Sequence, residues 1–199
     1  MNDSVIDLIR HGEPVGGRRY RGHNIDDPLS EKGWAQMWKA VGEYKVWQQI
    51  VTSPLQRCQA FAYALGKHHN IPVTTEPRFK EVGFGSWEGM SHDEIQIDRS
   101  DEYQAFLRDP VHHRPQGAEN LDDFINRVSA AYAETIERYQ SKHCLIVTHA
   151  GVIRAVIAKI VQAAPTGLYR IKINNGGITR IRHTAMGGIL ELLNGRLSD

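Results

Sequence analysis

Two short apolar segments of the sequence each end in a histidine. The segment 5–9 stops at Arg10-His11-Gly12, and the segment 144–147 stops at Thr148-His149-Ala150-Gly151. Ligands of open α/β sheets bind outside the carboxyl ends of the strands, so both imidazoles are expected to project into one crevice. A neutral imidazole can act as a nucleophile. A lone histidine at a strand end is more simply a satisfied polar residue, but two at equivalent strand ends indicate a reaction site.

Arginines accompany this histidine pair. Arg10 precedes His11, and Arg57 falls in the first turns of a predicted helix that follows another strand. A guanidinium presents a rigid fork of donors that suits phosphate oxygens. Gly12 and Gly151 let the backbone approach a ligand, and Gly151 opens a helix whose free N–H groups favour an anion. The group predicts a phosphate site, although Arg57 by itself is more simply a solvated helix residue.

The charges predict the protonation state of the nucleophile. Arg10 and Arg57 disfavour an imidazolium and would keep His11 neutral near neutral pH, whereas a bound phosphate dianion acts in the opposite direction. The leaving alkoxide then needs a proton from an acid. Glu81 lies in an apolar stretch that suits a general acid, but the residues alone do not favour it over Glu88.

The elements that must position these residues alternate along the chain. Apolar runs and turn signals predict strands near 4–9, 48–52, 73–75 and 144–147, and three more after Gly167 with turns at 174–177 and 186–188. Periodicity and caps predict helices near 31–44, 55–68, 91–97, 101–107, 120–139 and 152–161, with Asn120 as a cap. Such alternation predicts an α/β fold with a mixed, mostly parallel sheet covered on both faces. At 199 residues, one domain spanning 1–199 is expected.

The motif Leu8-Ile9-Arg10-His11-Gly12-Glu13 resembles the signature of the histidine phosphatase superfamily, which includes the cofactor-dependent phosphoglycerate mutases. One such triplet is weak evidence, but further blocks match in order over nearly the whole chain. These blocks are 28–33 (PLSEKG), 53–58 (SPLQRC), 81–89 (EVGFGSWEG), 117–119 (GAE) and 147–151 (VTHAG). The resemblance implies a three-layer α/β/α sandwich of the phosphoglycerate mutase type, in agreement with the predicted elements.

The resemblance also implies a role for each matching residue. His11 would be the nucleophile that forms a phosphohistidine, and Glu81 would be the general acid. The phosphoryl group would be held by Arg10, Gly12, Arg57 and His149, and His149 would also belong to the catalytic set. No metal ion or cofactor is expected, since the sequence offers no carboxylate cluster of the kind that two-metal phosphatases use.

The sequence departs from the family pattern in the loop after His11. Pro14 and Gly17 stand where many relatives have threonine and a phosphate-contacting asparagine, and Asn24 is a candidate substitute. Two basic patches, 18–21 and 112–114, offer contacts to the non-transferred part of the substrate through Arg19 or Arg114. A solvated loop explains each patch equally well.

The short, continuous layout and the motif 191–194 (ELLN) resemble the α-ribazole-phosphate phosphatases of cobalamin biosynthesis. The prediction is therefore a phosphomonoester hydrolase acting on a small metabolite such as α-ribazole 5'-phosphate. A phosphoglycerate mutase or a sugar-bisphosphate phosphatase using the same His11 is the alternative among enzymes. An inactive relative that binds phosphorylated ligands is the alternative among binding proteins.

Composition limits the partners and the compartment. The 24 basic and 23 acidic residues give a net charge of +1, which disfavours nucleic-acid binding. Cys58 and Cys144 lie far apart, which disfavours a disulfide framework or a zinc site. Neither a signal peptide nor a membrane-spanning stretch is evident. A cytoplasmic location without a membrane partner is expected, and the oligomeric state stays open, with a homodimer as one option.

Overall fold

The computed structural model describes residues 3–197, and its centre is one six-stranded sheet. The strands are β1 (Ser4–Arg10), β2 (Gln49–Thr52), β3 (Val73–Thr75), β4 (His143–Thr148), β5 (Ile178–Thr184) and β6 (Gly187–Gly195). Their order is β3-β2-β4-β1-β5-β6; the first four strands run parallel, β5 pairs antiparallel with β1, and β6 pairs antiparallel with β5. The sheet is therefore mixed and mostly parallel, as predicted.

Six α-helices connect the strands in the described part of the chain. They are α1 (Glu31–Val41), α2 (Gln56–His69), α3 (His92–Asp98), α4 (Ser100–Arg108), α5 (Leu121–Arg138) and α6 (Ala150–Ile160), with 3₁₀ turns at Pro77–Phe79, Gly85–Trp87 and Pro165–Arg170. The Asn120 side chain accepts hydrogen bonds from the N–H groups of Asp122 and Asp123, so it caps α5 as predicted. Within residues 3–197, no helix is long and apolar enough to cross a membrane.

The sheet buries a separate apolar cluster on each face. Side chains alternate along a strand, so Ile146 of β4 joins one cluster while Leu145 and Val147 join the other. The Ile146 side packs against α5 and α6, and the opposite side packs against α1 and α2. Helices therefore cover both faces, and the predicted three-layer α/β/α sandwich is confirmed.

Two element predictions need correction. The sequence predicts three strands after Gly167, but the described residues up to 197 form the 3₁₀ turn Pro165–Arg170, an irregular stretch and two strands. Proline begins that turn, which buries Leu168 and sets the ring of Tyr169 4.7 Å from that of Phe106.

The first helix is shorter than the predicted range 31–44. It ends at Val41 because Gly42 adopts a φ of 49° and its N–H donates to the Trp38 carbonyl.

The register between β1 and β4 brings the two histidine motifs together. Ile9 pairs with Val147 and Arg10 with Thr148, so His11 and His149 leave neighbouring parallel strands at the same level. The His11 amide also donates to the Thr148 carbonyl at 2.9 Å. The first and fourth strands thus bring together residues that are far apart in the sequence.

Candidate active site

A cleft of about 510 Å³ lies at the carboxyl ends of β1 and β2. Its lining includes Arg10, His11, Arg57, Glu81 and Gly151, which come from four separate parts of the chain. The volume is in the range of small-molecule sites. The structure therefore brings most of the candidate residues into one cavity, at the edge of the sheet where the strand pattern predicted it.

His11 is oriented by its own neighbour. Its Nδ1 lies 2.7 Å from the Gly12 carbonyl oxygen, which can only accept, so Nδ1 carries the proton and Nε2 keeps a free lone pair. The side-chain amide of Asn175 donates to the His11 carbonyl at 3.0 Å. Asn175 also lines the cleft, and sequence reasoning missed it.

The environment keeps His11 neutral. Burial is the largest cause that lowers its pKa well below the usual value, followed by the positive charges of Arg57 and Arg10, while the hydrogen bond to Gly12 opposes the shift. The sequence predicted the effect of the two arginines. It did not predict that burial, with only 6% of the residue exposed, would contribute more.

His149 stands behind His11 and is completely buried. Its Nε2 lies 2.7 Å from the Ser53 hydroxyl oxygen and 3.6 Å from the Cys58 sulfur. Burial, then the charge of Arg57, lowers its pKa well below the usual value. Ser53 follows β2 directly, at the same level as the histidines that follow β1 and β4, so its position at a strand end was a signal that sequence reasoning left unused.

Arg57 is buried, Arg10 is half-buried, and each has hydrogen-bond donors without a partner in the described part of the chain. Arg10 Nη1 donates to the Ile173 carbonyl at 2.6 Å, and Arg57 donates to the Ile25 and Gly22 carbonyls at 3.0 and 2.8 Å. Within residues 3–197, the buried Nε atoms of both arginines have no hydrogen-bond partner. Burial lowers the pKa of Arg10 to about 10, and it also lowers the pKa of Arg57. Buried donors are normally satisfied, and a bound phosphate would supply acceptors here.

Glu81 and Glu88, which the sequence did not separate, occupy different environments. Glu81 lines the cleft, and its carboxylate accepts from the amides of Val82 and Gly151 at 3.0 and 3.2 Å. Glu88 does not line the cleft, and its carboxylate accepts from the Phe84 amide at 2.9 Å. Arg127 donates to the Glu81 carbonyl at 3.1 Å and so fixes the backbone of the candidate acid.

Two glycines of the motifs permit close packing. A Cβ on Gly12 would lie 2.1 Å from the Gly33 carbonyl oxygen, so this glycine lets the loop pass the start of α1 rather than leaving room for the His11 ring. A Cβ on Gly151 would lie 2.2 Å from Glu81 Oε1. Gly151 therefore lets the Glu81 carboxylate reach the first turn of α6.

The three residues predicted to touch the rest of the substrate lie in different places. Arg19 lines the cleft, but its Nη1 donates to the Gly89 carbonyl at 2.6 Å. Arg114 supports the cleft wall from behind, because it bonds the Tyr169 hydroxyl and lies over the Phe84 ring at 5.6 Å. Asn24 is exposed and is not among the lining residues, so the structure does not bring it to the cleft.

A mixed α/β sheet with two buried histidines and two arginines at its strand ends is the arrangement of an anion-binding α/β protein. The sequence profile of the histidine phosphatase superfamily (branch 1) matches residues 6–196, and the chain belongs to this superfamily. The resemblance noted in the sequence is thereby confirmed.

Relatives and solved structures agree with this membership. The chain is 27% identical over 193 residues to the adenosylcobalamin/alpha-ribazole phosphatase of Escherichia coli (strain K12), and the matched region covers 95% of each chain. It is 30% identical over 166 residues to the uncharacterized phosphatase PhoE of Bacillus subtilis (strain 168), covering 81% of this chain and 80% of that protein. The structure matches YhfR of Bacillus stearothermophilus with a TM-score of 0.87 at 26% identity, covering 96% and 97% of the two chains. It matches the alpha-ribazole phosphatase of Shigella flexneri with a TM-score of 0.82 at 26% identity, covering 96% of each.

Proposed function

We propose that this protein is a phosphomonoester hydrolase that forms a phosphohistidine on Nε2 of His11. The observation that carries the proposal is the tautomer of the His11 ring, whose Nδ1 lies against the Gly12 carbonyl. Nδ1 is held by the Gly12 carbonyl, so the lone pair is on Nε2. Arg10 and Arg57 share the cleft, and their buried Nε atoms have no hydrogen-bond partner within residues 3–197. Membership of the superfamily and phosphatase relatives over nearly the whole chain support the same reaction class.

In the proposed first step, Nε2 of His11 attacks the phosphorus and the bond from phosphorus to the leaving oxygen breaks. Protonated Glu81 gives its proton to that oxygen, so the product leaves as a neutral alcohol. Water then attacks the phosphohistidine, Glu81 takes its proton, and inorganic phosphate leaves with His11 restored. The Glu81 carboxylate lies in the cleft, and two backbone amides fix its position there.

Arg10, Arg57 and His149 would stabilise the oxygens of the transferred group, with Gly12 allowing the loop to pass close by. A single preorganised donor of this kind contributes roughly 3–4 kcal/mol to transition-state stabilisation. The proposed reaction needs no metal ion or cofactor. In the described part of the chain, no group of three or more His, Cys, Asp or Glu residues is arranged to hold a metal ion.

The proposed substrate is a small phosphorylated metabolite. The named relatives make α-ribazole 5'-phosphate the first compound to assay, and turnover would assign the protein to cobalamin biosynthesis. A second candidate is a phosphoglycerate mutase or a sugar-bisphosphate phosphatase. The observation that favours it is a surplus of positive charge in the cleft, contributed by Arg18, Arg154 and Lys172.

The test is hydrolysis of p-nitrophenyl phosphate in the presence of EDTA by the wild type, His11→Ala and His113→Ala. His113 is an exposed histidine outside the cleft and serves as the matched control. We expect turnover in the wild type and the control, none in His11→Ala, and an acid-labile phosphoenzyme only where His11 is present. Activity that survives in His11→Ala would refute the proposed nucleophile. Absence of activity in every form, with α-ribazole 5'-phosphate included, would favour an inactive phosphate-binding relative.

The remaining expectations stay predictions. We propose that residues 1–199 form one histidine phosphatase domain in the cytoplasm, with a small phosphate ester as its partner and no nucleic acid or membrane. The near-neutral composition and the two buried free cysteines support this proposal.

A further inference from the structure

The cleft carries far more positive than negative charge. Seven of the 24 lysines and arginines of the chain line it, against two of the 23 acidic residues, Glu13 and Glu81. Like charges confined to one cavity repel each other, so an arrangement of this kind indicates a site built for anions. The net charge of +1 gives no hint of this local excess.

Four of the seven cations have an assigned partner or role. Arg21 pairs with Asp27 at 2.7 Å, and Arg19 is bonded to backbone carbonyls and lies 3.8 Å from Glu94. Arg10 and Arg57 would neutralise the two charges of the phosphate ester that is transferred. Binding of one phosphate monoester therefore explains the presence of Arg10 and Arg57 in the cleft, but not the presence of the remaining cations.

Three cations remain: Arg18, Arg154 and Lys172. They come from the loop after β1, from α6 and from the stretch that follows the last 3₁₀ turn, and all three line the cleft. Within residues 3–197, none of the three side chains has an ion-pair partner.

The Arg154 side chain is held in a fixed orientation, as expected for a residue that binds a ligand. Its Nε donates to the Ile171 carbonyl at 2.7 Å, and its guanidinium lies 5.5 Å from the centroid of the Tyr169 ring. These contacts fix the plane of the guanidinium, and its two terminal nitrogens have no hydrogen-bond partner among residues 3–197. The positive charges of Arg154 and Arg18 both act on Arg10, so the surplus cations are close to the phosphate-binding arginines rather than at a remote surface.

We propose that Arg18, Arg154 and Lys172 form a second anion subsite, which binds a carboxylate or a second phosphate on the non-transferred part of the substrate. This inference rests on the proposed function of His11, and it narrows the substrate class. α-Ribazole 5'-phosphate has no second anionic group, whereas phosphorylated sugar acids and sugar bisphosphates do.

The test compares ligands that differ by one anionic group. Calorimetry with the His11→Ala protein, which cannot be phosphorylated at that position, gives Kd for glycerol 3-phosphate against 3-phosphoglycerate and for fructose 6-phosphate against fructose 1,6-bisphosphate. We expect the ligand with the added anion to bind about tenfold more tightly, as several partly exposed ion contacts would give. Preference in the first pair indicates a carboxylate, and preference in the second indicates a phosphate.

Two variants in the same His11→Ala background assign the preference to residues. Arg18→Gln combined with Lys172→Gln, both at exposed positions, should reduce the preference to within about twofold. Arg138→Gln, an exposed arginine at the end of α5 and outside the cleft, should keep it. Equal Kd values within both pairs, or a preference that survives in the double variant, would overturn the subsite. Hydrolysis of p-nitrophenyl phosphate that depends on His11 is measured separately, so failure of the proposed function is distinguishable.

Discussion

His11 and His149 meet edge to face, with ring centroids 5.2 Å apart and ring planes inclined by 65°. The position of one ring therefore depends on what holds the other. His149 is held by the Ser53 hydroxyl at 2.7 Å, and Ser53 is itself fully buried. Ser53 acts through His149 and not on the substrate, so we assign it as a positioning residue.

Ser53→Ala should lower kcat by about 10–100-fold and change KM much less, because the supporting shell of a site acts mainly on its geometry. Steady-state kinetics with p-nitrophenyl phosphate measures this division. Thr179→Ala is the control, since it removes another buried hydroxyl from β5 that has no hydrogen-bond partner within residues 3–197. Equal losses of kcat in the two variants would mean that Ser53 contributes only to stability.

The acid limb of the pH profile of kcat/KM should show the effect of Arg10 and Arg57 on the pKa of His11. The active form of His11 is neutral and its pKa is lowered by burial, Arg57 and Arg10, so this form persists as the pH falls below the ordinary value of about 6.5. Arg57→Gln removes one of the lowering charges, so the pKa of His11 rises and the acid limb of kcat/KM moves to higher pH. The ionisation of the substrate affects both proteins equally, so it cancels in the ratio of variant to wild-type kcat/KM measured across pH. A flat ratio would contradict the assigned role of Arg57 in this shift.

The middle of β1 contains a buried carboxylate that should govern stability in acid. Asp7 is 0% exposed and accepts from Trp47 at 2.8 Å, from Arg180 at 2.8 Å and from His143 at 2.8 Å. Burial alone would raise its pKa, but the hydrogen bonds from His143 and Arg180 lower the pKa below its usual value. The folded state thus favours the carboxylate, and this stability is present above pH ~4 and lost as the pH falls further.

Asp7→Asn should therefore reduce the free energy of unfolding at pH 7 by about 3 kcal/mol, because it removes the buried charge with which the half-buried Arg180 pairs. Urea unfolding at a series of pH values measures both the loss and its decline in acid. Asp3→Asn is the control, since Asp3 and Arg182 are 4.0 Å apart and both well exposed. Similar unfolding curves for the two variants at pH 7 would show that the cluster around Asp7 is dispensable.

The close contact between α6 and the candidate acid gives a further prediction. Gly151→Ala puts a Cβ 2.2 Å from Glu81 Oε1, so the carboxylate must move out of its place in the cleft. We expect kcat to fall by about 10²-fold, as a displacement of about 1 Å in catalytic geometry can cause. Gly167→Ala introduces the same methyl group where no atom lies within 4 Å, and it should leave kcat unchanged. A fully active Gly151→Ala protein would remove Glu81 from the proposed mechanism.

The sequence predicted the strands that carry His11 and His149 because each is a short apolar run with an abrupt polar end. It also placed the helices on both faces, since their apolar periodicity and caps are local signals. It did not separate Glu81 from Glu88, because the two differ only in what the folded chain packs around them. Which basic residues of the loops face the cleft likewise depends on tertiary contacts.

Asn175 illustrates what local patterns do not reveal. The sequence offers Asn24, in the loop after the first motif, as the substitute for the family asparagine. The asparagine that contacts His11 is instead Asn175, from the stretch before β5. That approach depends on β5 pairing antiparallel with β1, a contact between residues more than 160 positions apart. No short-range signal encodes such a pairing, so proximity in the sequence was misleading here.

The placement of β1 has a consequence for biosynthesis. This strand is translated before the other five strands of the sheet, yet it lies between β4 and β5. At its end, the Arg10 amide donates to the Gly177 carbonyl and the Arg10 carbonyl accepts from the Gly176 amide, so the stretch before β5 closes the strand. Until translation has passed Ile178, where β5 begins, one edge of an apolar strand stays unpaired, and such edges favour incorrect pairing. The proposed nucleophile therefore reaches its final position late, and translation of β5 and β6 completes both the sheet and the candidate active site.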